Sequence, residues 1–256
     1  MAKRVDMNCD MGESFGAYII GSDEELLKHV TSANIACGAH AGDPTVMDTT
    51  VRLAKEHGVA VGAHPGFPDI SGFGRRMIDF SPDEIYRMVV HQIGGLQAFC
   101  RIHDVWMQHV KPHGALYNLA GRNRAAADAI ARAVYDVDHG LILFGLAGSE
   151  LLDAGRGVGL QVASEAFADR SYQADGSLTP REDTGAVIED VAEAIAQVER
   201  MVNDGVVRAV TGELIGLEAD TICVHGDGKN AVQFAEQLRK ALERKGLEVA
   251  AIGDVD

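Results

Sequence analysis

"ANIACGAHAGDP", Ala33 to Pro44, is the stretch that decides the fold. It starts as an apolar run through Cys37, then breaks into two glycines, a histidine and an aspartate. Asp43-Pro44 is a helix start, because an aspartate side chain caps free backbone N–H groups and proline suits the first helical position. The segment reads as strand, glycine turn and helix, with His40 lifted off the end of the strand.

The same unit recurs along the chain. Short apolar runs at 4–9, 31–37, 59–63, 107–111, 141–145, 160–163 and 220–224 read as strands. Between them lie helical patterns. Ser22-Asp23-Glu24-Glu25 and Ser81-Pro82-Asp83-Glu84 are capping boxes, the second opening a helix to about His103. Asp43-Pro44 opens a helix that Gly58 closes. Helical spacing also runs from Thr184 to Asn203 and from about Lys229 to Lys245.

Strands alternating with helices require parallel pairing, in a closed barrel or a doubly wound sheet. Two segments depart from the alternation. Val206 to Leu217 reads as a β-hairpin turning at Thr211-Gly212. Glu165 to Asp183 is too long and polar for an ordinary connection and reads as a lid or binding loop. No linker, repeat or low-complexity run divides the chain, so residues 1–256 are expected to form one domain.

Composition narrows the partners. Lys and Arg number 23 against 38 Asp and Glu, a formal charge of −15, which offers no positive field for nucleic acid or an anionic membrane. The opening "MAKRVDMNCD" lacks an apolar signal core, and the longest apolar run, Leu141 to Ala147, is too short to span a bilayer. Four cysteines, Cys9, Cys37, Cys100 and Cys223, show no C-x-x-C pair. They read as buried, reduced thiols in a cytoplasmic protein.

Nearly every polar cluster follows a strand. The first strand gives Asn8, Asp10 and Glu13; the second, His40 and Asp43; the third, His64, Asp69, Arg75 and Arg76. Lys111, His113, Tyr117 and Asn118 follow the fourth, Glu165, Asp169 and Arg170 the sixth, and His225 and Asp227 the seventh. In parallel α/β folds the C-terminal strand ends form the site-bearing face. Caps and turns account for Asp43 and the glycines but poorly for four histidines.

Cys37 and His40 could be nucleophile and base, but Cys37 should still lie on the strand and point into packing. His109 and His113 would sit roughly 13 Å apart on an extended chain, and Pro112 opposes a helix, so they make a poor metal pair. Asp10, His40, His64 and His225 form an Asp/His set suited either to a divalent ion or to general-base chemistry. In "GFGRR", arginine forks match carboxylate or phosphate. Lys111, Arg170 and Arg181 could add to an anion pocket, or each arginine could pair with Asp69, Asp169 or Glu165. There is no Walker A string, and "GRGVGL" precedes a strand rather than following one.

The blocks "DMNCDMGESFG", "NIACGAHAGDP", "GAHPGFPDISGFGRR", "KPHGALYN", "EAFADRSYQADGSLTPR" and "DTICVHGD" closely resemble the LamB/YcsF family, the A subunits of 5-oxoprolinase. The resemblance runs in order from about Val5 to the final helix. It implies a distorted seven-stranded (β/α) TIM-like barrel, akin to glycoside hydrolases and polysaccharide deacetylases. It also implies ATP-dependent opening of 5-oxo-L-proline (pyroglutamate) to L-glutamate with release of ADP and phosphate, in company with subunits B and C.

On that basis Asp10, His40 and His64 are expected to move protons or hold a divalent metal ion, with His113 and Asp43 completing the catalytic set. Asn8, Glu13, Arg75, Lys111, Glu165, Arg170 and His225 are expected to bind substrate groups. Two other readings stay open: a metal-dependent deacetylase or amidohydrolase, and a non-catalytic lactam-binding subunit. Self-association into a homo-oligomer is also left open.

Overall fold

The computed structural model describes residues 3–180, 183–188, 190–224 and 230–253. Among them, seven parallel strands hydrogen-bond in a ring: β1 (Arg4–Met11), β2 (Ser32–Ala36), β3 (Ala60–His64), β4 (Met107–Val110), β5 (Ile142–Leu146), β6 (Gln161–Phe167) and β9 (Thr221–Val224). The ring closes where β9 returns to β1, pairing Asp6 with Thr221 and Asn8 with Cys223.

The barrel is irregular. β3 and β4 slip register between Val61 and Gly62, and β4 meets β5 only through His109↔Ile142 and Val110↔Leu143. A short β10 (Glu248–Val249) pairs with the start of β1. The hairpin expected at Val206 to Leu217 is present as β7 (Val206–Arg208) and β8 (Leu214–Gly216), antiparallel and outside the ring.

Around the ring lie α1 (Asp23–Leu26), α2 (Pro44–His57), α3 (Pro82–Ile102), α4 (Gly114–Ala120), α5 (Arg124–Val137), α6 (Glu150–Val158), α7 (Val191–Asp204) and α8 (Ala231–Arg244). On α3 the capping box forms as expected: Ser81 Oγ accepts from Glu84 N, and Ser81 N donates to Glu84 Oε2. The buried face of α3 then follows helical spacing through Ile85, Val89, Ile93, Leu96 and Cys100. Each large apolar side chain so buried contributes roughly 1.5–3 kcal/mol.

Two local expectations fail for physical reasons. Ser22 forms no side-chain cap, since Asp23 instead accepts a bond from Gly12 N, and α1 stops after four residues. The helix expected from Thr184 begins only at Val191, capped by Asp190. Val187 instead bridges Arg170 and is 43% exposed. The segment after β6 is pinned rather than free, with Tyr172 fully buried and its hydroxyl accepting from Phe167 N. Gln197 adds bonds to the carbonyls of Phe167, Ala168 and Arg170.

Strict alternation in β1 sets up the interior. Met7, Cys9 and Met11 join the apolar layer under the helices, while Asp6, Asn8 and Asp10 belong to a polar network inside the ring. This is the period of two that a strand imposes on its side chains. All four cysteines are free and buried, and among the described residues no helix is long and apolar enough to cross a membrane.

Candidate active site at the mouth of the barrel

Four strand ends deliver the central cluster. Glu13 lies two residues beyond β1, His40 on the turn after β2, His64 at the last position of β3, and His113 at the N-cap of α4. The β3–β4 pairing continues past the strands through Lys111 N to Ala63 O (2.9 Å) and His113 N to Pro65 O (2.8 Å). That continuation aligns His64 with His113.

Gly74 allows the rings to meet. Its φ of +62° suits glycine, and a Cβ there would stand 2.7 Å from His40 Cβ and 2.9 Å from His113 Cδ2. His40 and His113 stack with ring centroids 3.7 Å apart, and His64 meets both edge-on. One ligand atom from each of Glu13, His40, His64 and His113 falls within 4.8 Å of all the others. These four residues could therefore hold a metal ion.

Hydrogen bonds fix the tautomers. His64 Nδ1 lies 2.7 Å from the Lys111 carbonyl oxygen, so Nδ1–H donates there and Nε2 carries the lone pair. His113 Nε2 lies 2.8 Å from the Phe73 carbonyl oxygen, so its lone pair is on Nδ1. Those two lone-pair nitrogens face each other at 3.0 Å. Asp10 Oδ2 stands 3.3 Å from His64 Nε2, and Glu13 Oε1 stands 3.5 Å from His40 Nε2.

Burial first, then the neighbouring histidines, depress the basicity of His40 well below the usual range and that of His113 to about 3. Burial would raise the Asp10 carboxyl, but His64 and Lys111 outweigh it and hold Asp10 well below the usual carboxylate range.

Beneath the cluster, Lys111 Nζ donates to Asn8 Oδ1 (3.1 Å), Asp10 Oδ1 (3.0 Å) and Cys223 Sγ (3.2 Å), and is ion-paired with Glu165 Oε1 at 2.7 Å. Burial would lower the ammonium's affinity for its proton, but Asp10 foremost, with Glu165, holds it well above the ordinary range. Tyr117 donates to Glu165 Oε2 at 2.6 Å. With its three protons engaged, Lys111 ties β1, β4 and β6 together rather than reaching outward for an anion.

The remaining expected residues are more dispersed. Asp43 caps α2 through Thr45 N and Val46 N, and its other oxygen accepts from Gly16 N at 2.9 Å. Arg75 is exposed over the Phe73 ring, 5.1 Å from its centroid, and its charge acts on His40 and His113. Arg76 pairs with Asp69 through Nε–H to Oδ2 at 2.9 Å. The buried Arg170 donates to the carbonyls of Ala186 and Thr179 and so holds the loop after β6. Cys37 is buried, with its thiol pushed up to about 12 by burial, as packing rather than nucleophilicity requires. His225, Asp227 and Arg181 lie outside the described residues.

Sequence reasoning missed three interior residues. Asn34 donates to Asn8 Oδ1 (2.8 Å) and Asp10 Oδ1 (2.9 Å), and His109 Nε2 donates to Asn34 Oδ1 at 2.8 Å. Asp6 accepts from the hydroxyls of Thr31, Ser32 and Thr221. The signal was the polar–apolar alternation of Asp6, Asn8 and Asp10 with Met7, Cys9 and Met11 in "VDMNCDM".

Known proteins share this architecture. The chain is 57% identical over 251 residues to the A subunit of 5-oxoprolinase from Bacillus subtilis (strain 168), covering 98% of both chains. It superimposes with a TM-score of 0.93, at 48% identity, on the crystal structure of a lactam utilization protein from Thermus thermophilus, covering 97% of this chain and 100% of that one. The catalytic domain of a peptidoglycan N-acetylglucosamine deacetylase from Eubacterium rectale ATCC 33656 matches at a TM-score of 0.50 and 10% identity, over 100% of this chain and 91% of that one. That likeness shows the fold alone. The family model for LamB/YcsF proteins matches residues 5–256, and the chain belongs to the LamB/YcsF family.

Proposed function

We propose that this chain is the A component of a cytoplasmic 5-oxoprolinase, opening 5-oxo-L-proline to L-glutamate at the expense of ATP together with subunits B and C. The observation that carries the reading is the end-to-end match with relatives of that name, 57% identical over 98% of both chains in one case. The cluster at the barrel mouth has the chemistry the reaction asks for.

A lactam is a resonance-stabilised amide, so water attacks it poorly. Phosphorylation of the lactam oxygen by ATP makes the ring carbon electrophilic and releases ADP. Asp10 then takes a proton from water through Oδ2 as the water oxygen bonds to that carbon. His64 Nε2, 3.3 Å from that carboxylate oxygen, positions it. The ring C–N bond breaks as the nitrogen receives the proton, leaving an acyl phosphate that a second water hydrolyses to L-glutamate and phosphate.

Arg75, exposed beside the cluster, receives the substrate carboxylate. Lys111 and Glu165 keep Asp10 in place through their 3.0 Å and 2.7 Å contacts. Phosphoryl transfer is assigned to the assembly with subunits B and C.

The four-donor cluster favours one second reading, a metal-dependent amidohydrolase that needs no ATP. The test is glutamate release from 5-oxoproline, with and without ATP, by this chain alone and with its two partners. Release that requires ATP and partners, and drops sharply in Asp10→Asn, supports the proposal. Full turnover by Asp10→Asn, or release that ignores ATP, overturns it.

A further inference from the structure

The hydrogen-bond arrangement at the mouth does not balance with protein atoms alone. His64 and His113 each spend one ring N–H on a backbone carbonyl, and their lone pairs then oppose each other at 3.0 Å. Two neutral imidazoles cannot rest in that arrangement without a cation between them. His40 sharpens the problem: it is 1% exposed, and neither ring nitrogen has a hydrogen-bond partner among the described residues. Buried polar groups left so are rare and call for a ligand.

A shared proton would reconcile one facing pair and leave His40 unexplained. A metal ion engages one nitrogen of each of the three rings, His40 Nε2 included. Donors about 2.0–2.2 Å from a tetrahedral ion stand about 3.3–3.6 Å from one another. Here His64 Nε2 to His113 Nδ1 is 3.0 Å, His40 Nε2 to Glu13 Oε1 is 3.5 Å, and His113 Nδ1 to Glu13 Oε1 is 3.7 Å. The carbonyls behind His64 and His113 are the outer partners that metal-ligating histidines use to fix their tautomers.

We infer that Glu13 Oε1, His40 Nε2, His64 Nε2 and His113 Nδ1 hold one divalent first-row transition-metal ion of the zinc type. Three imidazoles and one carboxylate suit such an ion and not magnesium or calcium, which take oxygen donors. The set differs from the Asp/His set read from sequence: Glu13 and His113 join His40 and His64, while Asp10 stands beside His64 and is engaged by Lys111 and Asn34. Bound there by four protein donors, the ion would first of all hold the cluster together, and would supply Lewis acidity to a carbonyl or water oxygen only on expanding to a fifth ligand.

The test is made on the isolated full-length chain without substrate, so its outcome is separate from that of the lactam reading. Chain purified without chelator is assayed for bound metal by elemental analysis. The stripped chain is then titrated with Zn2+ and with Co2+, whose visible absorption reports four-coordinate geometry. One ion per chain is expected, with tetrahedral cobalt bands. Affinity should fall in Glu13→Gln and His113→Ala by more than the ~10–100-fold typical of losing an outer-shell partner, and stay unchanged in the surface variant His139→Ala.

Glu13→Gln keeps the side-chain shape, so it preserves the test if a histidine variant fails to fold. A folded chain that takes up neither ion overturns the inference. So does binding that survives both Glu13→Gln and His113→Ala, or an imidazolium signal for the facing pair at neutral pH in metal-free protein with no zinc affinity.

Discussion

His109 and His40 are both buried histidines of the same barrel, at 0% and 1% exposure, yet they have opposite surroundings. His109 lies deep in the ring, stacked on Phe144 at 4.2 Å, donating to Asn34 and filling the space that Gly62 leaves. His40 sits at the mouth against two other imidazoles, with no hydrogen bond from its ring to any described residue. Burial and residue type fail to tell a packed histidine from a working one. The hydrogen-bond partners do: His109 has one ring nitrogen held by Asn34 and only Nδ1 without a partner, whereas both ring nitrogens of His40 are left for a ligand.

If that contrast is right, substitutions at the mouth should cost activity and substitutions in the floor should cost stability. The largest effect is expected at Asp10. Asp10→Asn should lower ATP-dependent glutamate release by ~10²–10⁴-fold, measured with the partner subunits present. A loss confined to KM would move Asp10 from chemistry to binding.

Lys111→Met should be the most destabilising single change, by about 3–5 kcal/mol in urea unfolding, since it strands Asp10 and Glu165 as buried carboxylates without their cation. Adding Glu165→Gln should recover part of that loss.

Acid comes next. His109 and His113 are each held to about 3 by burial, against an ordinary value of 6.5. Between those values the unfolded chain binds more protons than the folded one, so stability rises with pH. It should be complete above about pH 6.5 and drain away as pH falls toward about 3. Urea midpoints across that range should show the fall, and His109→Gln should flatten it.

Gly62→Ala is expected to cost about 1–3 kcal/mol by overpacking, because its Cβ would lie 2.1 Å from His109 Nε2. The double variant with His109→Ala should be less strained than the two separate losses suggest. Asp43→Ala should be mildest, about 0.5–2 kcal/mol for a lost helix cap, with turnover largely retained. A collapse of turnover there would return Asp43 to the catalytic set.

The contrast also marks how far the sequence could be read. Alternating strands and helices, the Asp43 and Ser81 caps and the hairpin near Gly212 are local signals and appear where expected. Ser22 and Thr184 carried equally good local signals, but tertiary partners overrode them: Gly12 N drew Asp23 away, and Arg170 drew Val187 into a bridge. His40 and His64 were legible as strand-end histidines. That Glu13 and His113 share their cluster, while Lys111 is turned inward, follows from the ring's register, which no local window contains. The pairing of Arg76 with Asp69 was foreseeable because the two lie only seven residues apart.

Barrel closure has a consequence for biosynthesis. The strand that carries Asp6, Asn8 and Asp10 is made before β9, and its neighbour Thr221 lies 215 residues downstream of Asp6. Contacts so distant along the chain form late, since the loop they close must be ordered first. Until β9 pairs with β1 these polar side chains lack their partner across the seam, so the ring that shapes the mouth is completed only by that late pairing.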